Sequence, residues 1–389
     1  VLYLHSRRFP FGKLIRQTAV LAKSVAMAIC SVFQHRKGIP MQAIGYRPGS
    51  ALSDPQCFVE ISKEYPKPRP RDLLVSVRAV SVNPVDTKIR NGQVFLGEEI
   101  DVLGWDVAGV VVDVGADVTL FRPGDEVFYS GNLNRPGANA ELHAVDERLV
   151  GRKPARLTFM QAAALPLTSL TAWELLFDRL DVTPGRLHDG GTLLIIGGAG
   201  GVGSMLIQLA RRLTGLTVIA TASRPESREW CLSLGAHHVI DHSRSMIEEL
   251  AATGASAITH IAALNQTEQH WAAIAAIIAP YGKVGVITNH AILDATPLRS
   301  KSASLHWEDV VTRPHSGGAD MVAHHRILEE VSALADSGVL RSTVTTDLGK
   351  LTPSSLLEAH RLVEGGRMLG KVVLEGLSTE MGARHYPRR

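Results

Sequence analysis

Gly198-Ala199-Gly200-Gly201-Val202-Gly203 carries the most legible chemistry in this chain. It satisfies G-x-G-x-x-G, a weak signal by itself among 35 glycines. Its setting makes it strong. The short apolar run Thr192-Leu193-Leu194-Ile195-Ile196 precedes it, and Val202, Met205, Leu206, Leu209, Ala210 and Leu213 follow at helical spacing. Gly198 then permits a tight turn, Gly200 a close backbone approach to a pyrophosphate, and Gly203 close packing of helix on strand. Gly201 and Val202 open a helix whose free N–H groups and dipole face the diphosphate. The next strand ends in Ser223-Arg224-Pro225-Glu226-Ser227-Arg228. A free ribose 2′-hydroxyl calls for Asp or Glu about 20 residues past the glycines. Here Ser223 offers a hydroxyl, and Arg224 and Arg228 offer guanidinium groups suited to a phosphate dianion. The pattern predicts NADPH, with Asn265 and Lys371 completing the expected cofactor set; the plainer alternative makes Arg224 a solvated charge.

Metal chemistry finds no such support. Cys30, Cys57 and Cys231 lie far apart with no C-x-x-C pair, which suits neither a disulfide framework nor a zinc ribbon. The 16 histidines show no paired ligand spacing. His237-His238 and His324-His325 are adjacent, so on a strand or helix they diverge. No metal ligand is expected.

Two patterns of elements must position these residues. From 41 to 165, β-rich runs at 41–46, 73–80, 107–114 and 126–129 are punctuated by Gly and Pro. Without helices between them they predict a compact β barrel or sandwich. From 166 to 305, strands and helices alternate as in a doubly wound parallel sheet, with strands at 192–196, 217–222, 238–240, 258–262 and 283–287. Residues 306–376 hold more helix and end in Lys371-Val372-Val373-Leu374, a strand able to rejoin the first domain; 377–389 form a tail.

Composition bounds the partners. The chain is 45% hydrophobic and 20% charged, ordinary for a globular protein. Its net charge of +3 is uneven, because residues 1–40 hold seven Lys or Arg and no acid. The body therefore carries 34 basic against 38 acidic side chains, which argues against nucleic acid. The stretch 19–33 is too short to span a bilayer, and Lys23 interrupts it. Met41 begins a strand-like run, so residues 1–40 are expected to lie outside the fold, as upstream sequence or as a transit peptide. The expected location is the cytoplasm, or the mitochondrion if that leader is a transit peptide. The expected partners are a small-molecule acceptor and a second copy of the chain, without nucleic acid or membrane.

The order of β domain, dinucleotide domain and returning strand resembles the medium-chain dehydrogenase/reductase superfamily, and within it the quinone oxidoreductase, or zinc-type alcohol dehydrogenase-like, branch. The motifs are Ser81-Val82-Asn83-Pro84-Val85-Asp86-Thr87-Lys88, Gly104-Trp105-Asp106-Val107-Ala108-Gly109, Leu165-Pro166-Leu167-Thr168-Ser169-Leu170-Thr171-Ala172-Trp173, the glycine loop, and Gly370-Lys371-Val372-Val373-Leu374. The resemblance implies a GroES-like β-barrel domain joined to a Rossmann domain. Zinc-dependent members place a Cys near the Asn83 segment and Gly-His-Glu where Gly104-Trp105-Asp106 stands. Catalytic zinc needs three protein ligands, and Trp105 supplies none.

Without a Lewis acid an alkoxide is poorly stabilised, whereas a quinone or enone delocalises an incoming hydride's charge onto oxygen. By resemblance, Asn83 and Thr168 lie beside nicotinamide and acceptor, and each could donate a hydrogen bond to the acceptor oxygen. Asn83 could equally only shape the turn before Pro84, and Trp105 could wall the acceptor pocket or pack in the core. Asp86 and Lys88 could form a polar cluster, and Tyr46 is too distant in the chain to assign as an acid. The expected reaction is hydride transfer from NADPH to a quinone or α,β-unsaturated carbonyl. The alternatives are an enoyl-thioester reductase and a cofactor-binding sensor with little turnover.

Overall fold

A computed structural model describes residues 40–94, 96, 101–185, 190–288 and 292–377. The expected leader up to residue 39, the tail from 378 and Cys30 lie outside the described residues.

The hairpin β1 (Met41–Tyr46) and β2 (Phe58–Lys63) lies over a sheet whose centre is β3 (Asp72–Ser81). After β3 comes the short helix α1 (Pro84–Arg90), then β4 (Asp106–Val114), β5 (Glu126–Ser130), β6 (Leu142–Asp146) and β7 (Val150–Arg152). Strand β3 reads Leu-Leu-Val-Ser-Val and is buried along almost its whole length. Leu73, Val75 and Val77 enter the main core, while Leu74 joins Val112, Leu142 and Ala144 under Met41 and Ala43 of the hairpin. Alternation along a pleat puts successive side chains on opposite faces, so both faces are filled. Irregularities between Leu74 and Val75 and between Val77 and Ala79 bend the strand. The bend lets residues 72–76 pair with β6 while residues 79–81 pair with the returning C-terminal strand. The pairing path does not close on itself among the described residues, so the expected barrel is an open, bent sheet.

The helices α2 (Phe159–Ala163) and α3 (Pro166–Trp173) lead into the second sheet, with a wider i→i+5 turn at Glu174–Arg179 continuing α3. The sheet alternates β8 (Thr192–Ile196), α4 (Gly201–Leu213), β9 (Thr217–Thr221), α5 (Pro225–Leu234), β10 (His238–Ile240), α6 (Met246–Thr253), β11 (Ile258–Ala263), α7 (Thr267–Ile277), β12 (Ile278–Val286) and β13 (Ser304–Trp307). All neighbours are parallel, in the order β10-β9-β8-β11-β12-β13. That order reverses direction between β8 and β11, where dinucleotides bind in such sheets. Leu193 and Ile195 of β8 face one core, and Leu194 and Ile196 face another. Each such side chain contributes about 1.5–3 kcal/mol when buried.

The chain then runs through α8 (Thr312–Ser316), α9 (Val322–Asp336), β14 (Val344–Lys350), α10 (Pro353–Glu364) and β15 (Lys371–Glu375). Strand β15 pairs antiparallel with β3 and parallel with β14. Its first residue therefore arrives beside the end of β3 and the start of α1.

Candidate active site

The glycine loop sits between β8 and α4, and each glycine has its own reason. The turn falls on Gly197, with φ +87°, rather than on Gly198 as the motif alone suggests. Its N–H donates to Thr221 Oγ1 at 3.1 Å. A Cβ on Gly198 would come within 2.7 Å of Ala220 Cβ, so this glycine lets the loop pack on β9. A Cβ on Gly203 would lie 2.4 Å from the Gly197 carbonyl oxygen, so the helix needs glycine there to approach the strand. Gly200 differs: its Cβ would meet no protein atom closer than 3.7 Å. Nothing in the protein demands glycine at that position, and the free space fits the approach of a diphosphate to the backbone. Ser204 donates the first helical bond to Gly200, so the N–H groups of Gly201, Val202 and Gly203 precede the helical ladder. The loop fits a dinucleotide.

The residues expected at the ribose end gather at the same edge. Ser223 is exposed and Arg224 half-buried just past β9. The Arg224 guanidinium donates to the Arg367 carbonyl at 2.6 Å and pairs with Glu226 at 3.0 Å. The motif at the strand end marks neither Glu226 nor Arg367 as a partner of Arg224. Arg228 lies half-buried on α5, and Asn265, exposed past β11, stands 3.4 Å from the Cβ position of Gly197.

Next to the loop lies a buried polar cluster built from four separate segments. Asn83 caps α1; its N–H donates to Asp86 Oδ2 at 2.7 Å, and the Gly104 N–H donates to Asp86 Oδ1 at 3.1 Å. Burial pushes the Asp86 carboxyl up to about 7, against the pull of the Asn83 N–H and the Lys371 charge. The Asn83 side chain donates through Nδ2 to Asp106 Oδ2 at 2.9 Å and accepts through Oδ1 from Lys371 Nζ. Lys371 also donates to the Val82 carbonyl at 3.0 Å and pairs with Asp106 at 3.1 Å. Asp106 Oδ1 accepts the Leu167 N–H at 2.8 Å, which ties in the first turn of α3. A Cβ on Gly201 would meet Lys371 Cδ and Thr168 Cγ2 at 3.0 Å, so the cluster and the cofactor loop are in direct contact.

This geometry revises three expected roles. Lys371 is 3% exposed and its ammonium group makes three contacts inside the cluster, so it reaches the cofactor loop through its aliphatic stem. The Thr168 hydroxyl donates back to the Ala164 and Leu165 carbonyls at 3.3 and 3.1 Å, so only its methyl faces the loop. Trp105 is 1% exposed and its indole N–H donates to the Arg135 carbonyl at 3.3 Å; of its two expected roles, the geometry supports core packing. Lys88 makes none of the cluster contacts and stands half-buried on α1.

The donor set here does not fit a catalytic zinc ion. Zinc sites combine three Cys, His or carboxylate ligands with an open position. Asp106 already faces an ammonium group, Asn83 is bound on both sides of its amide, and Trp105 has no lone pair to offer. Among the described residues no three His, Cys, Asp or Glu side chains are placed to hold a metal.

Comparison with known proteins agrees with the two-part architecture. Residues 69–155 match the alcohol dehydrogenase GroES-like domain, and residues 234–374 match the zinc-binding dehydrogenase domain. A zinc-type alcohol dehydrogenase-like protein of Staphylococcus epidermidis is 36% identical over 336 residues, covering 86% of this chain and 99% of its own length. A crystal structure of a protein described as a zinc-dependent alcohol dehydrogenase from Rhizobium etli CFN 42 superposes with TM-score 0.83 at 49% identity, covering 88% of this chain and 99% of that one. The chloroplastic NADPH-dependent alkenal/one oxidoreductase of Arabidopsis thaliana is 39% identical over 193 residues, 48% of each chain. With both domains matched and a relative covered almost end to end, the chain belongs to the medium-chain dehydrogenase/reductase superfamily of oxidoreductases, among the zinc-type alcohol dehydrogenase-like proteins.

Proposed function

We propose that this protein transfers hydride from NADPH to a conjugated carbonyl acceptor, a quinone or an α,β-unsaturated ketone or aldehyde, without a catalytic metal. The observation that carries the reading is the Asn83-Asp106-Lys371 cluster against Gly201, where an ammonium group occupies the charged centre. NADPH, when bound, supplies the hydride. The glycine loop would bind its diphosphate through backbone N–H groups, and Ser223 and Arg224 its 2′-phosphate. The acceptor's own conjugation spreads the incoming charge onto oxygen, where the Asn83 amide can donate a hydrogen bond. A saturated alcohol would need its alkoxide stabilised by a Lewis acid that this donor set cannot hold. The Arabidopsis relative, named for NADPH and for alkenals and alkenones, favours the same class.

The test is NADPH oxidation against quinones, enones, alkenals and saturated aldehydes, before and after exhaustive chelation. Conjugated acceptors should be reduced, with NADPH preferred over NADH, and chelation should leave the rates unchanged. Turnover confined to alcohols or saturated aldehydes, abolished by a chelator and restored by zinc, would overturn the proposal. Tight NADPH binding with no turnover of any acceptor would leave a cofactor-binding sensor instead.

A further inference from the structure

An asparagine amide is nearly symmetric in shape, and its two faces differ only in which end donates and which accepts. A site that needs a donor at one fixed point must therefore break that symmetry with its neighbours. Around Asn83 the neighbours do so completely. Lys371 Nζ, a donor without lone pairs, meets Oδ1; Asp106 Oδ2, an acceptor, meets Nδ2 at 2.9 Å. Turning the amide over would set NH2 against ammonium and carbonyl against carboxylate, two repulsive contacts where Asn83 is only 1% exposed. The clamp is itself held on every side. Lys371 binds the Val82 carbonyl at 3.0 Å and Asp106 binds the Leu167 N–H at 2.8 Å. One N–H of Nδ2 goes to Asp106, and the second has no partner among the contacts of the described residues.

The clamp also registers against the cofactor loop. The Gly370 N–H donates to the Ala199 carbonyl at 2.9 Å. Gly370 has φ +49°, and a Cβ there would lie 2.1 Å from the Thr343 carbonyl oxygen, so the chain can pass this close only as glycine. Lys371 follows directly. One backbone hydrogen bond and one side chain thus connect the loop expected to carry the diphosphate to the amide expected to meet the acceptor.

We infer that Lys371 and Asp106 form a positioning clamp that fixes the Asn83 amide as a donor, holding its uncommitted N–H ready for the acceptor oxygen. The inference rests on the proposed reduction of a conjugated acceptor at Asn83. Lys371 is then a positioning residue for the reaction, neither a cofactor-phosphate contact nor a proton source, since its N–H groups are committed within the cluster.

The test is a double-mutant cycle on Asn83→Ala and Lys371→Met, with kcat read against a quinone or enone and NADPH affinity read separately by fluorescence. Lys371→Met should lower kcat on the order of 10- to 100-fold, somewhat less than the 10²–10³ of deleting an oxyanion donor. NADPH affinity should change less than about threefold, a ceiling below the charge-assisted contact that a phosphate ligand would lose. In the Asn83→Ala background Lys371→Met should have no further effect on kcat, and Lys371→Arg should restore part of the loss in the wild-type background. An equal loss in both backgrounds, or a loss confined to NADPH affinity, would overturn the clamp. If Lys371→Met does not fold, the charge-balanced Asp106→Asn/Lys371→Met pair takes its place in the same cycle. A neutron or atomic-resolution crystal structure of the variant, in which amide nitrogen and oxygen are told apart, supplies an arm that needs no turnover: a rotated Asn83 amide supports the clamp, and an unmoved one overturns it. Should the wild-type protein reduce no conjugated acceptor, the proposed reaction falls while this structural arm still decides the clamp.

Discussion

At the scale of single residues, the glycine loop separates what the fold needs from what a ligand needs. The sequence motif assigns a role to each glycine by its place in G-x-G-x-x-G. The geometry moves the turn to Gly197, which stands outside the motif, and leaves Gly200 without a structural reason. A substitution to alanine at each end of the loop should therefore fail in opposite ways. Gly203→Ala drives a Cβ to 2.4 Å from a backbone oxygen and should lower the melting temperature markedly. Gly200→Ala adds a Cβ in open space at φ −73°, so the melting temperature should stay within about 2 °C of wild type. NADPH affinity should nevertheless fall at least about tenfold, because the backbone can no longer approach the diphosphate. Differential scanning calorimetry and a fluorescence titration decide the matter; a Gly200→Ala protein that binds NADPH normally would remove the loop's assigned role. Arg224 was legible from its place after β9, but its pairing with Glu226 was not. Rotamers across a helix start, rather than spacing, bring the two together.

At the scale of elements, the buried strands were the legible part. Strands β1, β8 and β10 fall where the sequence predicts them, and β8, buried on both faces, has the least choice of residue. Beside β2, β6 and β7, the strands that the sequence pattern does not mark include two mixed ones. Strand β14 reads Val-Thr-Thr-Asp-Leu-Gly-Lys and is largely exposed, and β13 carries a histidine and an exposed tryptophan. The wide turn at Glu174–Arg179 left no sequence mark either, yet it organises a second buried cluster. Glu174 there accepts from Arg313 and has His324 Nε2 3.0 Å away, while Glu308 accepts from Arg179 at 3.0 Å. Burial, and then the neighbouring Glu174 charge, push the Glu308 carboxyl well above its usual range. The folded protein thus keeps a proton that the unfolded chain releases near the ordinary value of 4.5. As pH rises from there, the native state binds more protons than the unfolded one, and stability falls. Glu308→Gln keeps the neutral form and escapes that loss. Its melting temperature relative to wild type should climb steadily between about pH 5 and pH 8.5. Thermal melts across that range would reject a proton retained on Glu308 if the difference stayed flat or shrank.

At the scale of the whole molecule, the site is a junction, and this is why its residues were legible only one by one. Asn83, Asp106, Leu167 and Lys371 come from four segments, and Lys371 lies 288 positions from the Asn83 side chain it binds. Only the return of β15 to β3 brings them together, a pairing that the apolar run at 371–374 permits but does not specify. The same sheet logic bears on assembly. The six-stranded parallel sheet ends at β10 on one side and β13 on the other, and β10 is only three residues long. Strand β13 pairs with β12 through Ser304, Leu305, His306 and Trp307, and its outer edge has no strand partner among the described residues. Trp307 on that strand is 56% exposed. An open edge with an exposed aromatic side chain invites pairing, and two copies related by a twofold axis would offer each other the same edge. The expected partnership of two chains is therefore proposed to run through β13. Light scattering should give about twice the chain mass of 41.9 kDa at micromolar concentration. Trp307→Lys puts a charge on the edge and should shift the protein toward the monomer without lowering NADPH affinity, since β11 and β12 separate the glycine loop after β8 from that edge. A wild-type protein that stays monomeric at that concentration would rule the edge out as an interface, as would a dimer that Trp307→Lys leaves intact.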